Sequence, residues 1–256
     1  MSLLLVVPAV LLAGCSDDDR SQPDPSTTRA APSTSAPADD VLAVGDEVTA
    51  AGTELRAPPE PETRQIDAEA GCRTFLEPGG EGTCEIVGTA GGPVIWTLEP
   101  GAEAGPDERA WDLRIWSQSE TLPDGGWRVA LDLPQRAGTP RSFADVAVRS
   151  ADVTGDGQPE LLVGYRAAGT GQFESYDVVT VAPGAAPVVA VHRDGLHKGS
   201  VVVAGTDLVD YSADESSPEC CPRSATRTTI GRRDGAFVVT DVAEVPIDQQ
   251  PPDLFA

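Results

Sequence analysis

Residues 151–165 read Ala-Asp-Val-Thr-Gly-Asp-Gly-Gln-Pro-Glu-Leu-Leu-Val-Gly-Tyr, and this stretch guides the interpretation of the whole chain. Side chains that carry oxygen stand at Asp152, Thr154, Asp156 and Glu160. The glycines between them allow the backbone to turn sharply, and apolar strand-forming residues follow at once. A turn that directs several oxygens to one point suits a hard cation such as calcium.

The composition favours short strands over long helices. The chain has 256 residues, with 26 glycines, 23 prolines and only 5% aromatic residues. Such a length accommodates one ordinary domain and a tail. The net charge of -23 repels phosphate backbones, so the sequence argues against nucleic acid as a partner.

Alternating apolar and polar residues predict strands in the second part of the chain, whereas no window shows a helical period. The sequence therefore predicts an all-β domain of about ten short strands, arranged as a sandwich, a barrel or a propeller-like fold. The predicted strands are Val94–Leu98, Trp111–Ile115, Trp127–Asp132, Ala144–Val148, Glu160–Tyr165, Tyr176–Val181, Val188–His192, Ser200–Val203, Thr226–Ile230 and Ala236–Val239.

Two of these strands are predicted to form a hairpin. Turn residues 122–126 separate Trp111–Ile115 from Trp127–Asp132, and Arg233-Asp234-Gly235 predicts a turn before the last strand. Within the hairpin, residues 111, 113 and 115 share one apolar face, and so do residues 127, 129 and 131. Trp116 falls on the opposite face from Trp111, which makes it the best candidate for a surface-exposed tryptophan.

The first 15 residues read as a signal segment. An apolar run at residues 3–12 is too short to span a bilayer and ends in Leu12-Ala13-Gly14-Cys15. This ending resembles the lipobox of bacterial lipoproteins, which implies cleavage before Cys15 and attachment of fatty-acyl chains such as palmitate to its sulfur. No Lys or Arg precedes the apolar run, which leaves open a start upstream of Met1. The expected location is the outer face of the cell membrane.

Residues 16–65 are predicted to be a disordered linker, because Pro, Ser, Thr and Asp dominate and cannot bury enough apolar surface. A short strand is predicted within Val41–Leu55. A β-rich domain follows at 66–246, and residues 247–256 form a C-terminal tail.

Four cysteines remain for an oxidising compartment: Cys72, Cys84, Cys220 and Cys221. One arrangement pairs Cys72 with Cys84 across a glycine-rich loop, as hairpin partners, and leaves the adjacent Cys220 and Cys221 to each other. The other ties the Cys220–Cys221 loop to the first two cysteines. Zinc is disfavoured because the spacing matches no finger pattern.

The stretch from Phe143 to Gly164 resembles a single FG-GAP repeat, a motif of β-propeller blades that binds calcium in a loop between two strands. By position, the resemblance implies ligand oxygens from the side chains of Asp152, Thr154, Asp156 and Glu160 and from the backbone of Gln158. The alternative is that the aspartates only hydrogen-bond the backbone of a tight turn.

Other candidate residues carry weaker signals. His192 and His197 flank Asp194, and Ser200 follows, but no Gly-x-Ser-x-Gly motif accompanies them, so a surface loop is the simpler interpretation. The acidic segment 207–222, which ends in Cys-Cys-Pro, resembles a stretch in secreted actinobacterial proteins. It is interpreted as a stapled loop or as a binding loop that presents Tyr211. No residue is assigned as catalytic.

The sequence thus predicts a lipid-anchored envelope lipoprotein, with the membrane as one partner and an envelope protein or glycan as the other. Its β domain would be a binding or interaction module with a weak calcium site. The alternative function is a lipid-anchored hydrolase of envelope polysaccharide or peptide. A cleft lined by tryptophans that holds two carboxylates would favour the hydrolase.

Overall fold

The computed structural model describes residues 42–50, 63–78, 81–105, 108–118, 126–133, 143–167, 172–214 and 221–254. Within these ranges the chain is β-structure with two single 3-10 turns, at Cys72–Phe75 and Ile247–Gln249, so the predicted all-β class is confirmed. No helix of the described part is both long and apolar enough to cross a membrane.

Thirteen strands lie in the described residues. They are β1 (Thr63–Arg64), β2 (Thr83–Thr89), β3 (Gly92–Gly105), β4 (Glu108–Gln118), β5 (Trp127–Leu133), β6 (Phe143–Ala151), β7 (Glu160–Ala167), β8 (Phe173–Thr180), β9 (Val188–Arg193), β10 (Ser200–Ala204), β11 (Asp207–Ala213), β12 (Ser224–Arg233) and β13 (Ala236–Pro246).

All pairs among these thirteen strands are antiparallel, and the strands divide into three sheets. Sheet 1 has the order β1-β5-β4-β3-β2, and sheet 2 has the order β6-β7-β8-β9. A single residue pair, Arg109 with Phe143, connects these two sheets, so that nine strands are linked by hydrogen bonds. Sheet 3 has the order β10-β11-β12-β13. Short connections between neighbouring strands favour this antiparallel arrangement.

Sheet 2 is the middle layer, because both of its faces are buried. Along β7, Leu161, Val163 and Tyr165 pack against sheet 1, whereas Leu162 packs toward sheet 3. Successive side chains of a strand point to opposite faces, so a continuous apolar run such as 161–165 is typical of a strand covered on both sides. The domain is therefore sandwich-like, with three stacked layers.

The outer face of sheet 1 is covered by the segment that the disulfide holds. Cys72 bonds Cys84 at an S–S distance of 2.09 Å, which confirms the local pairing, although Cys72 lies in a 3-10 turn and not in a hairpin strand. The turn places Phe75 against Trp116, with 5.0 Å between ring centroids. Trp116 is fully buried, so its prediction as an exposed tryptophan was wrong.

A bulge changes the predicted face pattern of β5. Ile115 pairs with Leu131, but the next residue, Trp116, pairs with Val129. The extra residue reverses the side-chain alternation, so Trp127 and Val129 join the outer cluster of sheet 1 while Leu131 faces sheet 2. The predicted pairing of the two strands is confirmed, but a common face for residues 127, 129 and 131 was wrong.

Both ends of the described chain pack on the domain. The amide of Val48 donates to the carbonyl of Phe237 at 2.8 Å, and Glu47 forms a bridge with Val238, so residues 42–50 extend sheet 3 beyond β13. Val48 is 5% exposed. Near the other end, Arg166 binds Asp253 through two hydrogen bonds of 2.9 Å. The domain therefore begins before residue 66, and residues 42–50 are not part of the linker.

Candidate functional site

The loop 152–160 is held together by its own hydrogen bonds. Both carboxylate oxygens of Asp152 accept backbone amides, from Gly155 at 2.7 Å and from Gly157 at 2.9 Å. Asp156 accepts the amide of Gln158 at 2.8 Å. These contacts match the backbone-bonding role of aspartate in tight turns and account for the spacing of the oxygens without a metal.

Glu160 closes the loop from the start of β7. Its two carboxylate oxygens accept the Val153 amide at 2.9 Å and the Thr154 hydroxyl at 3.1 Å. Burial raises the pKa of Glu160 above its usual value, the two donors lower it, and the charges of Asp156 and Asp152 raise it further. The loop therefore concentrates negative charge around one buried carboxyl group.

The loop also borders a cavity of about 400 Å³, which Thr154, Asp156 and Glu160 line together with Glu47 and Arg232. However, the described residues contain no group of three or more His, Cys, Asp or Glu side chains arranged to hold a metal ion. In this structure, the carboxylates of Asp152, Asp156 and Glu160 accept hydrogen bonds from donors within the loop itself. Calcium binding by Asp152, Thr154, Asp156, Gln158 and Glu160 stays a prediction.

A second polar cluster joins sheets 2 and 3. Tyr176 of β8 and Arg193 of β9 both donate to Oδ2 of Asp210 in β11, each at 2.9 Å. Asp210 is 1% exposed, and its other oxygen, Oδ1, is buried without a hydrogen-bond partner. Burial lowers the pKa of Arg193, but the adjacent Asp210 carboxylate and Tyr176 outweigh this and raise the pKa above its usual value. The guanidinium therefore stays charged.

Beside this cluster lies a cleft of about 550 Å³, which we call the Arg193 cleft. Arg193, Asp194 and the following loop form one wall. The floor is the polar half of the inner face of sheet 3, where Ser212 pairs with Thr226, and Thr226 pairs with Glu244. The apolar half of the same face, which includes Leu208 and Ile230, packs on sheet 2.

The cleft forms because β9 ends at Arg193 while β11, β12 and β13 continue beyond that point. Sheet 2 therefore covers the apolar half of sheet 3 and leaves the polar half open. This site was not predicted from the sequence. The pattern at 207–213 is the one indication of the site in the sequence. Leu208, Asp210 and Ser212 lie on the same face of this strand. Because two of these three residues are polar, the segment lacks the apolar alternation of a strand, and its sequence favours a loop.

The segment 207–213 is strand β11, so Tyr211 is not presented by a loop. Trp96 and Trp127 are buried in addition to Trp116, and none of the four tryptophans lines the Arg193 cleft. The cavity beside the loop 152–160 has no tryptophan among its lining residues either. Cys221 is exposed, whereas Cys220, Cys15 and the predicted second disulfide lie outside the described residues.

His192 belongs to a third polar group, on the face of sheet 2 that packs toward sheet 1. Asp177 is fully buried and accepts from Tyr165 at 2.7 Å, and it lies 2.7 Å from Nδ1 of His192. Ser200 is buried in sheet 3, and its hydroxyl has no hydrogen-bond partner. His192 and Ser200 therefore do not form a catalytic pair in this structure.

No protein-family model, curated protein or solved structure matches this chain. The likeness of residues 143–164 to an FG-GAP repeat stays a resemblance of sequence, and the class of actinobacterial envelope lipoprotein stays a prediction.

Proposed function

We propose that the chain is an envelope lipoprotein whose β domain binds a small polar ligand in the Arg193 cleft. The observation that carries the proposal is the cleft of about 550 Å³ over a polar half-sheet. Small-molecule sites in proteins commonly have volumes of about 300–1,000 Å³ and a few fixed polar groups. Arg193 is such a group, because Asp210 fixes its position from below.

The anchor is proposed from the sequence. Lipid chains on Cys15 would attach the N-terminus to the outer face of the membrane, with residues 16–41 between the anchor and the first described residue. Each buried methylene of an acyl chain contributes about 0.8 kcal/mol to membrane binding, so more than one chain anchors stably. The ligand-binding domain would then be displayed in the cell envelope, where a glycan or an envelope protein supplies the ligand.

Binding can be tested on the full chain purified in detergent, with thermal melts against a collection of small polar envelope compounds. Thr226 is exposed on the cleft floor, so Thr226→Trp fills the cleft without displacing core residues. We expect the compounds that raise the melting temperature to lose this effect in the variant. The matched control is Ala243→Trp, because Ala243 lies on the opposite face of sheet 3. In this variant the same compounds should still raise the melting temperature. A compound that stabilises both variants equally would count against the cleft.

The anchor has its own test. Expression in a bacterium that processes lipoproteins, with labelled palmitate in the medium, should label the wild-type chain and leave Cys15→Ala unlabelled. Membrane fractionation should show the same difference. Label on the Cys15→Ala chain would contradict the proposed anchor.

The alternative function is a hydrolase of envelope polysaccharide or peptide. One feature of the cleft supports this alternative, because three acidic residues line it: Asp194, Asp214 and Glu244. Pairs of carboxylates are the usual acid and base of glycoside hydrolysis. If the chain releases reducing sugar or peptide from envelope material, Glu244→Gln should abolish the release, whereas a binding module releases nothing.

A further inference from the structure

The guanidinium of Arg193 is fixed in place but keeps hydrogen-bond donors to spare. Arginine has five N–H donors, of which Nε–H binds Asp210 at 2.9 Å. A contact with the Tyr176 hydroxyl uses one more at most. None of the guanidinium nitrogens is both buried and unpaired, and Arg193 lines the cleft, where the remaining donors can meet a ligand.

Such an arrangement suits a carboxylate of a ligand. A guanidinium can bind a carboxylate through two parallel hydrogen bonds, which a single ammonium group cannot reproduce. The Arg193 side chain is only 15% exposed, and Asp210 holds it from the opposite side. Little conformational freedom is therefore lost when a ligand binds, which favours affinity.

The rest of the cleft carries the opposite charge. Among the described residues that line it, Asp194, Asp214 and Glu244 are acidic and Arg193 is basic. The exposed carboxylate of Glu244 would repel a ligand with several negative charges and attract a protonated amine. Glu244 is exposed and forms no ion pair with any described residue, so it can pair with such an amine.

We propose that the Arg193 cleft binds a short peptide, with the free α-carboxylate on Arg193 and a protonated amine near Glu244. The hydroxyls of Ser212, Thr226 and Thr228 would bind the peptide groups between these two charges. This inference rests on the proposed ligand-binding function and specifies its ligand class.

The test is calorimetric titration of the full chain in detergent with a panel of dipeptides that carry basic, acidic and apolar side chains. At least one should bind with a Kd below about 1 mM. Amidation of its carboxylate should weaken binding about tenfold or more, and so should Arg193→Lys, because both changes remove the paired hydrogen bonds. Acetylation of its amines should weaken binding to the wild type but cause no further loss in Glu244→Gln.

Two results would overturn this inference. One is that no dipeptide binds, and the other is that the amidated dipeptide binds as tightly as the free acid. Neither result contradicts the broader proposal that the Arg193 cleft binds a small polar ligand. A compound of another class that stabilises the wild type but not Thr226→Trp would still show binding in the cleft. Glu244→Gln affects an exposed side chain, so it keeps the test valid if Arg193→Lys does not fold.

Discussion

The loop 152–160 and the Arg193 cleft are both rich in carboxylates, but they satisfy their polar groups in opposite ways. In the loop, each carboxylate accepts a hydrogen bond from a residue at most seven positions away. Beside the cleft, Asp210 binds Tyr176, which is 34 residues away, and Arg193, which is 17 residues away. The carboxylates of the loop bind donors that are close in sequence, whereas the Asp210 carboxylate holds Arg193 at the wall of the cleft and keeps one buried oxygen without a hydrogen-bond partner.

This difference teaches that a conspicuous sequence motif need not mark the site with the most binding capacity. The aspartates of the loop bind the backbone that carries them, so their spacing follows from the turn. Arg193 and Asp210 are inconspicuous in the sequence, but together they present a charged group to an open cleft. Four measurements test this contrast, in order of decreasing expected effect.

The largest effect is expected from Asp210→Ala. This change leaves the mostly buried Arg193 charge and the Tyr176 hydroxyl without their shared acceptor, and breaking a buried ion pair costs about 3–5 kcal/mol. The free energy of unfolding from urea titration measures it. The matched control is Asp241→Ala, which breaks the exposed pair with Arg227 and should cost less than about 1 kcal/mol. Equal losses in both variants would contradict the structural role of Asp210.

Calcium should have the next largest effect if the resemblance to FG-GAP repeats holds. With a Kd of about 1 mM, calcium at about 10 mM would raise the free energy of unfolding by about 1.4 kcal/mol. Thermal melts with calcium and with EDTA, together with calorimetric titration, measure this. Asp156→Ala should abolish the calcium effect. If calcium changes neither the melting temperature nor the heat of titration, the loop is a tight turn whose carboxylates bind only the backbone and side chains of the loop.

Asp152→Ala should cost about 1 kcal/mol, because two loop amides lose their acceptor but gain access to water. Amide hydrogen exchange should accelerate at Gly155 and Gly157 and remain unchanged in β7. Asp156→Ala, which removes a single exposed hydrogen bond, is the control and should cost less. An unchanged exchange rate at both glycines would mean that the aspartate does not hold the loop.

The smallest effect is the pH dependence of Glu160. Burial raises its pKa in the folded state above 4.5, so the folded protein holds this proton more tightly than the unfolded chain does. The resulting stability is present in full below about pH 4.5 and is lost as the pH rises through the folded pKa. The stability of the wild type relative to Glu160→Gln should therefore increase from neutral pH toward pH 4.5. A constant difference across this range would contradict the raised pKa.

Several elements were predictable because their signal is local. The turn Arg233-Asp234-Gly235 joins β12 to β13 with positive φ angles of 53° at Asp234 and 89° at Gly235, as a tight hairpin turn requires. The apolar run at 161–165 predicted a strand, and the glycine-rich loop between Cys72 and Cys84 made their bond one of the two predicted arrangements. By contrast, the strands β1, β2 and β11 were not predicted. The strand β1 has only two residues, and polar residues interrupt the alternation in β2 and β11.

The sequence by itself determined the all-β class, most of the strands and the existence of a tight oxygen-rich turn, because each depends on residues that are close in the chain. Only the tertiary structure decided which surfaces are covered. The disulfide-held turn buries Trp116, residues 42–50 join sheet 3, and the end of β9 at Arg193 leaves the polar half of that sheet open. These outcomes depend on how far one layer extends over the next, which no local pattern of residues encodes.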